Sequence, residues 1–90
     1  MDIAEFRNDE AGYHARIRAH PRGFVVNSFK RPNPDYMQLH EALCPSIAER
    51  GPYTTGDYMK VCAEELVVLE RWARNHGGKL RAGCTECAPT

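Results

Sequence analysis

Four residues with metal-ligating side chains fall into two closely spaced pairs in this chain. His40 and Cys44 form an H-x3-C pair, and Cys84 and Cys87 form a C-x2-C pair. Zinc favours tetrahedral sites built from cysteine sulfur and histidine nitrogen, and each short spacing lets one local turn supply two ligands. The sequence therefore predicts a structural zinc site made by His40, Cys44, Cys84 and Cys87.

The C-x2-C pair is also compatible with a redox dithiol or with a structural disulfide. Redox pairs usually begin a helix inside a βαβ unit, whereas this pair follows a helical pattern and comes directly after Gly83, which favours zinc. Cys62 is a competing ligand. It lies in the apolar run V-C-A, however, where a lone cysteine is usually a small buried side chain.

The hydrophobic pattern predicts the elements that must position these ligands. Two helices are expected, from about Asn8 or Asp9 to His20 with Asn8 as the N-cap, and from Glu64 to Asn75 with both glutamates of E-E in the first turn. Gly77 or Gly78 should end the second helix in the left-handed conformation. Runs rich in β-branched and aromatic residues predict three strands, at Phe24–Phe29, Tyr36–His40 and Tyr58–Ala63.

These elements predict an α+β fold, with a small and mainly antiparallel sheet of about three strands, two helices and one structural zinc. Residues 1–90 are expected to form a single zinc-binding domain, with a helical N-terminal segment over 1–22 and a zinc core over 23–90. Loops are predicted at Lys30–Pro34 and around Pro45, Gly51 and Pro52. A domain of 90 residues buries only about 60 to 65% of the surface that its unfolded chain exposes, so it gains much from a metal or a partner.

Composition narrows the classes of function. The formal net charge is zero and the pI is about 6.9, which argues against a protein that coats nucleic acid through a large basic excess. The charged N-terminal stretch is unlike a signal peptide, and no apolar run approaches the roughly 18 residues of a membrane span. We therefore expect a cytoplasmic protein without membrane contact, in a compartment where paired cysteines more often bind metal.

The two ligand pairs and their order among the elements carry a family resemblance. L-H-E-A-L-C (Leu39 to Cys44) and C-T-E-C-A-P (Cys84 to Pro89) resemble the metal-binding domain of the Ada DNA-repair family. In that family four cysteines hold zinc, and the first accepts a methyl group from a DNA phosphotriester. His40 stands at the methyl-accepting position and lacks the required thiolate. The chain is thus more similar to the H-x3-C variants of this module found on bacterial nucleases, which implies a structural site.

Three further segments resemble a family of small bacterial proteins linked to restriction or defence functions. They are D-E-A-G-Y (Asp9 to Tyr13), H-P-R-G-F-V-V-N (His20 to Asn27) and Y-T-T-G-D-Y-M-K-V-C-A (Tyr53 to Ala63). The resemblance implies a role in such a system without naming an activity. The Ada-like resemblance covers about residues 24 to 89.

The function expected from this sequence is a non-enzymatic, zinc-stabilised module that binds DNA or directs a partner to it. The basic residues that could contact phosphates are Arg16, Arg18, Arg22, Lys30, Arg31, Arg74, Lys79 and Arg81. The alternative is a protein-interaction module in which Tyr36, Tyr53 and Tyr58 meet a partner chain. Alkyl acceptance by Cys44 or Cys84 is a third hypothesis, which the histidine in the matching position disfavours.

Overall fold

The computed structural model describes residues 3–48, 51–82 and 84. The elements follow one another as β1 (Ile3–Phe6), α1 (Glu10–Ala19), β2 (Phe24–Asn33), β3 (Tyr36–Glu41), α2 (Pro45–Ala48), β4 (Tyr58–Ala63) and α3 (Leu66–Asn75). The predicted α+β fold class is confirmed. None of the helices in this described portion is long and apolar enough to cross a membrane.

The sheet is antiparallel throughout and has the strand order β1-β4-β2-β3. Val25 on β2 lies opposite His40 on β3 and opposite Cys62 on β4. Residues in register on adjacent strands point to the same face of a sheet. His40, Val25 and Cys62 therefore form one row across the sheet.

The fourth strand, β1, was not among the three that the sequence predicts. It has only four residues, and one of them is charged, so it carries little local strand signal. Hydrogen bonding to β4 holds this segment in the strand conformation, with Ile3 opposite Ala63 and Phe6 opposite Lys60. The Trp72 indole N–H also donates to the Glu5 carboxylate at 2.7 Å and ties the strand to α3.

Each face of the sheet has its own core. Helix α3 covers one face with Leu69, Trp72 and Ala73, which pack on side chains of β2, β3 and β4: Val26, Met37, Leu39, Met59, Val61 and Ala63. Helix α1 covers part of the other face through Tyr13 and Ile17. The residues packed there include Val25, Ala42, Ile47 and Cys62, so Cys62 is a core side chain as its apolar run predicts.

Both long helices begin later in the chain than the sequence predicts. Asp9, not Asn8, is the N-cap of α1, and its Oδ1 accepts the Gly12 N–H at 2.8 Å, while Asn8 takes a left-handed φ of 53°. Helix α3 begins at Leu66, so the expectation that Glu64 and Glu65 occupy its first turn is wrong. The Glu64 carboxylate instead lies 2.6 Å from the His20 ring and links the end of α1 to the β4–α3 connection.

Two predicted loops contain regular structure. Strand β2 continues through Lys30–Asn33, where its pairing register with β3 shifts between Ser28 and Asn33, and the turn is only Pro34–Asp35. The segment after Cys44 forms the short helix α2, with Pro45 at its first position, where a missing N–H costs nothing.

The chain after α3 turns back onto β3. Gly77 has the predicted left-handed conformation, with φ of 80°, and the Gly78 N–H donates to the Ala73 carbonyl at 3.0 Å. Two backbone bonds then join Arg81 to β3: its N–H donates to Met37 O, and its carbonyl accepts from Leu39 N–H, both at 2.8 Å. This pairing leads the chain towards Cys84 along the strand that carries His40.

The Glu10 side chain links the loop before β4 to the start of α1 through hydrogen bonds. Its carboxylate accepts hydrogen bonds from the backbone N–H groups of Tyr53 and Thr54 and from the Thr54 hydroxyl. Burial alone would raise the pKa of Glu10, but these hydrogen bonds outweigh it, and the pKa lies below its ordinary value of 4.5.

Replacing Glu10 should destabilise the fold in a pH-dependent way. Because the folded-state pKa is lowered, the stabilisation is present above about pH 4.5 and is lost as the pH falls through the folded-state pKa. Glu10→Gln should therefore reduce the free energy of unfolding by about 1–3 kcal/mol at neutral pH and by less in acid. Urea titrations at both pH values measure this, and equal losses at both would contradict it. Glu70→Gln, on the exposed side of α3, is the matched control.

Candidate metal centre

His40 lies near the end of β3 and is 8% exposed. Burial, together with the positive charge of Lys60, lowers the pKa of His40 below its ordinary value of 6.5. The imidazole is therefore held neutral near physiological pH, which is the state that coordinates a metal.

A tight turn brings Cys44 back towards His40. The Cys44 N–H donates to the Glu41 carbonyl at 3.0 Å, and the Ala42 N–H donates to Gly23 O at the same distance. The Cys44 side chain is 1% exposed. The H-x3-C spacing thus corresponds to a strand end followed by a turn, as the sequence predicts.

Cys84 completes a cluster of three potential ligands. The His40 nitrogen and the Cys44 and Cys84 sulfurs all lie within 4.8 Å of one another, and the two sulfurs are 3.5 Å apart. A disulfide would require about 2.05 Å between the sulfurs. Zinc–sulfur bonds of about 2.3 Å at tetrahedral angles place two sulfurs about 3.8 Å apart, so the donors and their spacing fit zinc.

The fourth expected ligand, Cys87, lies outside the described residues and stays a prediction. The competing candidate, Cys62, is not part of the three-residue cluster. It is 2% exposed in the core beneath α1, and burial raises the pKa of its thiol to about 12. A thiol with that pKa stays protonated at neutral pH and makes a poor ligand.

A pocket of about 380 Å³ lies beside the cluster, and His40 lines both. The deepest charged group is Lys60, which is 5% exposed and donates to Asn27 Oδ1 at 2.7 Å and to the Tyr53 carbonyl at 2.8 Å. Burial lowers the pKa of Lys60 to about 8, although the Glu10 carboxylate opposes that shift. Sequence reasoning missed this pocket. The available signal was the lysine inside the strand Y-M-K-V-C-A.

The eight predicted DNA-contacting residues are spread over the surface. Arg16 and Lys30 are half-buried, and the Lys30 ammonium donates to Asn8 Oδ1 at 2.5 Å. The other six, Arg18, Arg22, Arg31, Arg74, Lys79 and Arg81, are exposed. Arg74 and Lys79 line one cleft, whereas Arg18 lies on α1.

The three tyrosines predicted to meet a protein partner line the pocket beside His40. Tyr36 and Tyr58 have ring centroids 6.0 Å apart, and both pack on Phe29. Tyr53 packs on Tyr13 at 5.4 Å. Their rings form walls of a recess, with Tyr58 the most exposed of the three.

Comparisons of the chain with protein-family models, with curated proteins and with solved structures find no match.

Proposed function

We propose that this protein is a non-enzymatic DNA-binding module whose fold is stabilised by one structural zinc ion. His40, Cys44 and Cys84, together with Cys87 as the fourth ligand, would hold the ion. The burial of His40 and Cys44 supports a structural role, because a catalytic zinc needs a position open to substrate. The same burial counts against alkyl acceptance by Cys44, whose sulfur an electrophile would have to reach.

The observation that carries the DNA-binding proposal is the set of six exposed basic side chains. Within residues 3–48, 51–82 and 84, none of the six makes an ion pair. A cation without an internal partner can neutralise a phosphate without first breaking a contact in the protein. Arg31, Lys79 and Arg81 belong to the two segments that meet at the β2–β3 turn, where Gly78 packs against Pro34. We assign the main phosphate contacts to these three.

A salt series tests this assignment. The affinity for a labelled DNA duplex, followed by fluorescence anisotropy, should fall linearly with salt on logarithmic axes, with a slope of about −0.9 per phosphate neutralised. The combined substitution Arg31→Ala, Lys79→Ala and Arg81→Ala should make that slope shallower by about 2–3.

The matched control is Arg7→Ala, because Arg7 is exposed but lies 3.7 Å from the Glu5 carboxylate. Its loss should leave the salt slope unchanged. If micromolar protein shifts neither duplex nor single-stranded DNA at about 50 mM salt, the DNA-binding proposal is wrong and a protein partner becomes the leading hypothesis.

A further inference from the structure

The pocket beside His40 is built from groups that suit a planar, uncharged ligand. Its floor is the sheet face that α1 leaves uncovered, where β2, β3 and β4 contribute Asn27, Gln38 and Lys60. Tyr36 and Tyr58 are on its lining. A volume of about 380 Å³ is at the lower end for small-molecule sites, so the pocket fits one or two rings.

Lys60 supplies a hydrogen-bond donor inside the pocket. An ammonium group has three N–H donors, and the bonds to Asn27 Oδ1 and to the Tyr53 carbonyl use two of them. The third can donate to a ligand atom. Tyr36 adds a second donor, because its hydroxyl oxygen accepts from the Asn27 amide at 3.0 Å and its own proton is left for another acceptor.

Gln38 adds an acceptor at the edge of the sheet. Its amide N–H donates to the Arg81 carbonyl at 3.0 Å, which leaves the amide oxygen to accept from a ligand. The pocket therefore offers both donors and an acceptor between aromatic rings. Nucleobases present such mixed edges together with a flat face that stacks on aromatic side chains.

Charge favours a base over a phosphate as the group held in the pocket. The positive charge of Lys60 is opposed by the nearby Glu10 carboxylate. The thiolates of the three proposed cysteine ligands, Cys44, Cys84 and Cys87, would outweigh the charge of a divalent ion beside His40. No net positive charge is left to hold an anion, whereas the exposed Arg81 at the rim could contact the phosphate of a nucleotide whose base lies inside.

We propose that this pocket binds a single unpaired nucleobase, stacked on Tyr58 and hydrogen-bonded by Lys60, Tyr36 and Gln38. The inference rests on the proposed DNA-binding function, since a DNA strand is the source of the base. It adds that the protein recognises bases displaced from the duplex stack. Paired bases cannot enter, because their edges and faces are already occupied.

Three labelled duplexes of one sequence test the proposal: fully paired, with one bulged thymidine, and with an abasic site in place of that thymidine. The protein should bind the bulged duplex about tenfold more tightly than the other two. Tyr58→Ala should remove most of that preference while leaving the affinity for the paired duplex unchanged. Tyr58 is 38% exposed, so its truncation should leave the fold intact. Leu43→Ala, at an exposed position outside the pocket, is the control.

A second variant and a second ligand separate failure of the pocket from failure of DNA binding. Lys60→Met should abolish the preference without changing the salt slope, because Lys60 does not contact phosphate, and circular dichroism checks its fold. Equal affinity for all three duplexes overturns the pocket proposal and leaves DNA binding intact. If no DNA binds but thymidine shifts the NMR signals of Tyr58 and Lys60, DNA binding fails and the pocket stands with free nucleoside as its source. If neither binds, both fail.

Discussion

If the protein holds the proposed zinc ion, a chelator that removes the ion is expected to unfold the protein. Structural zinc contributes about 10 kcal/mol or more of apparent binding free energy, which equals or exceeds the whole stability of a domain of this size. Trp72 is the only tryptophan of the chain. It lies on the core-facing side of α3 and is 6% exposed. Its emission should shift to the red as zinc leaves, in step with the loss of circular dichroism.

The structural reason is the way the ligands join distant segments. Cys44 and Cys84 are 40 residues apart in sequence, and their sulfurs are within 3.5 Å of each other. The proposed zinc ion would bridge these two sulfurs and so tie the two segments together. Between Gly78 and Cys84, two backbone hydrogen bonds of Arg81 attach the segment to β3.

Adding zinc back should restore the folded signal, whereas magnesium should not, because it prefers oxygen ligands. The claim that zinc stabilises the fold is wrong if one equivalent of zinc is removed while the melting temperature and the circular dichroism stay the same.

The parts of the fold that the sequence predicts well are those with a strong local pattern. Strands β2 and β4 combine β-branched and aromatic residues, and α3 presents Leu69, Trp72 and Ala73 on one side of a helix. The burial of these three side chains agrees with that helical period. The end of α3 can also be predicted from the local sequence, because glycine readily takes the left-handed conformation that ends a helix.

The missed features depend on tertiary contacts. Strand β1 forms because β4 offers it a partner, and nothing within Ile3–Phe6 demands that conformation. The burial of Lys60 follows from the central position of β4 and from hydrogen bonds to Asn27 and Tyr53, which are 33 and 7 residues away. Sequence patterns of period two or 3.6 carry no information about such partners.

In the candidate site too, the sequence predicts the local geometry and misses what depends on tertiary contacts. The spacing within the H-x3-C pair predicts that His40 and Cys44 share a local turn, and the structure has that turn. The number of residues between the H-x3-C pair and the C-x2-C pair does not predict how close the two pairs lie in the fold. Only the return of the chain at Gly78 and its pairing at Arg81 explain why Cys84 reaches His40. The basic residues, by contrast, carry no spacing signal, and the structure spreads them over several elements.

Substitutions of His40 should separate ligation from packing. His40→Cys should keep its zinc, because a thiolate is an equally good donor, and should fold as the unmodified protein does. His40→Ala should lose most of its metal and be destabilised as sharply as Cys84→Ala, since a ligand is removed in both cases. Packing alone predicts that both histidine variants are destabilised to a similar degree, because neither retains the imidazole.

Cys62→Ala is the matched control for the loss of a buried cysteine. Cys62 lies on the same row of the sheet as His40 but outside the ligand cluster. Its replacement removes a small core side chain at a cost of about 1–2 kcal/mol and should leave the zinc content unchanged.

The zinc content of these four variants and of the unmodified protein, measured by atomic emission on purified samples, tests the central claim most directly. The account predicts one zinc per chain in the unmodified protein, in His40→Cys and in Cys62→Ala, and little or none in His40→Ala and Cys84→Ala. A Cys62→Ala protein that loses its zinc while His40→Ala keeps it would contradict the ligand assignment.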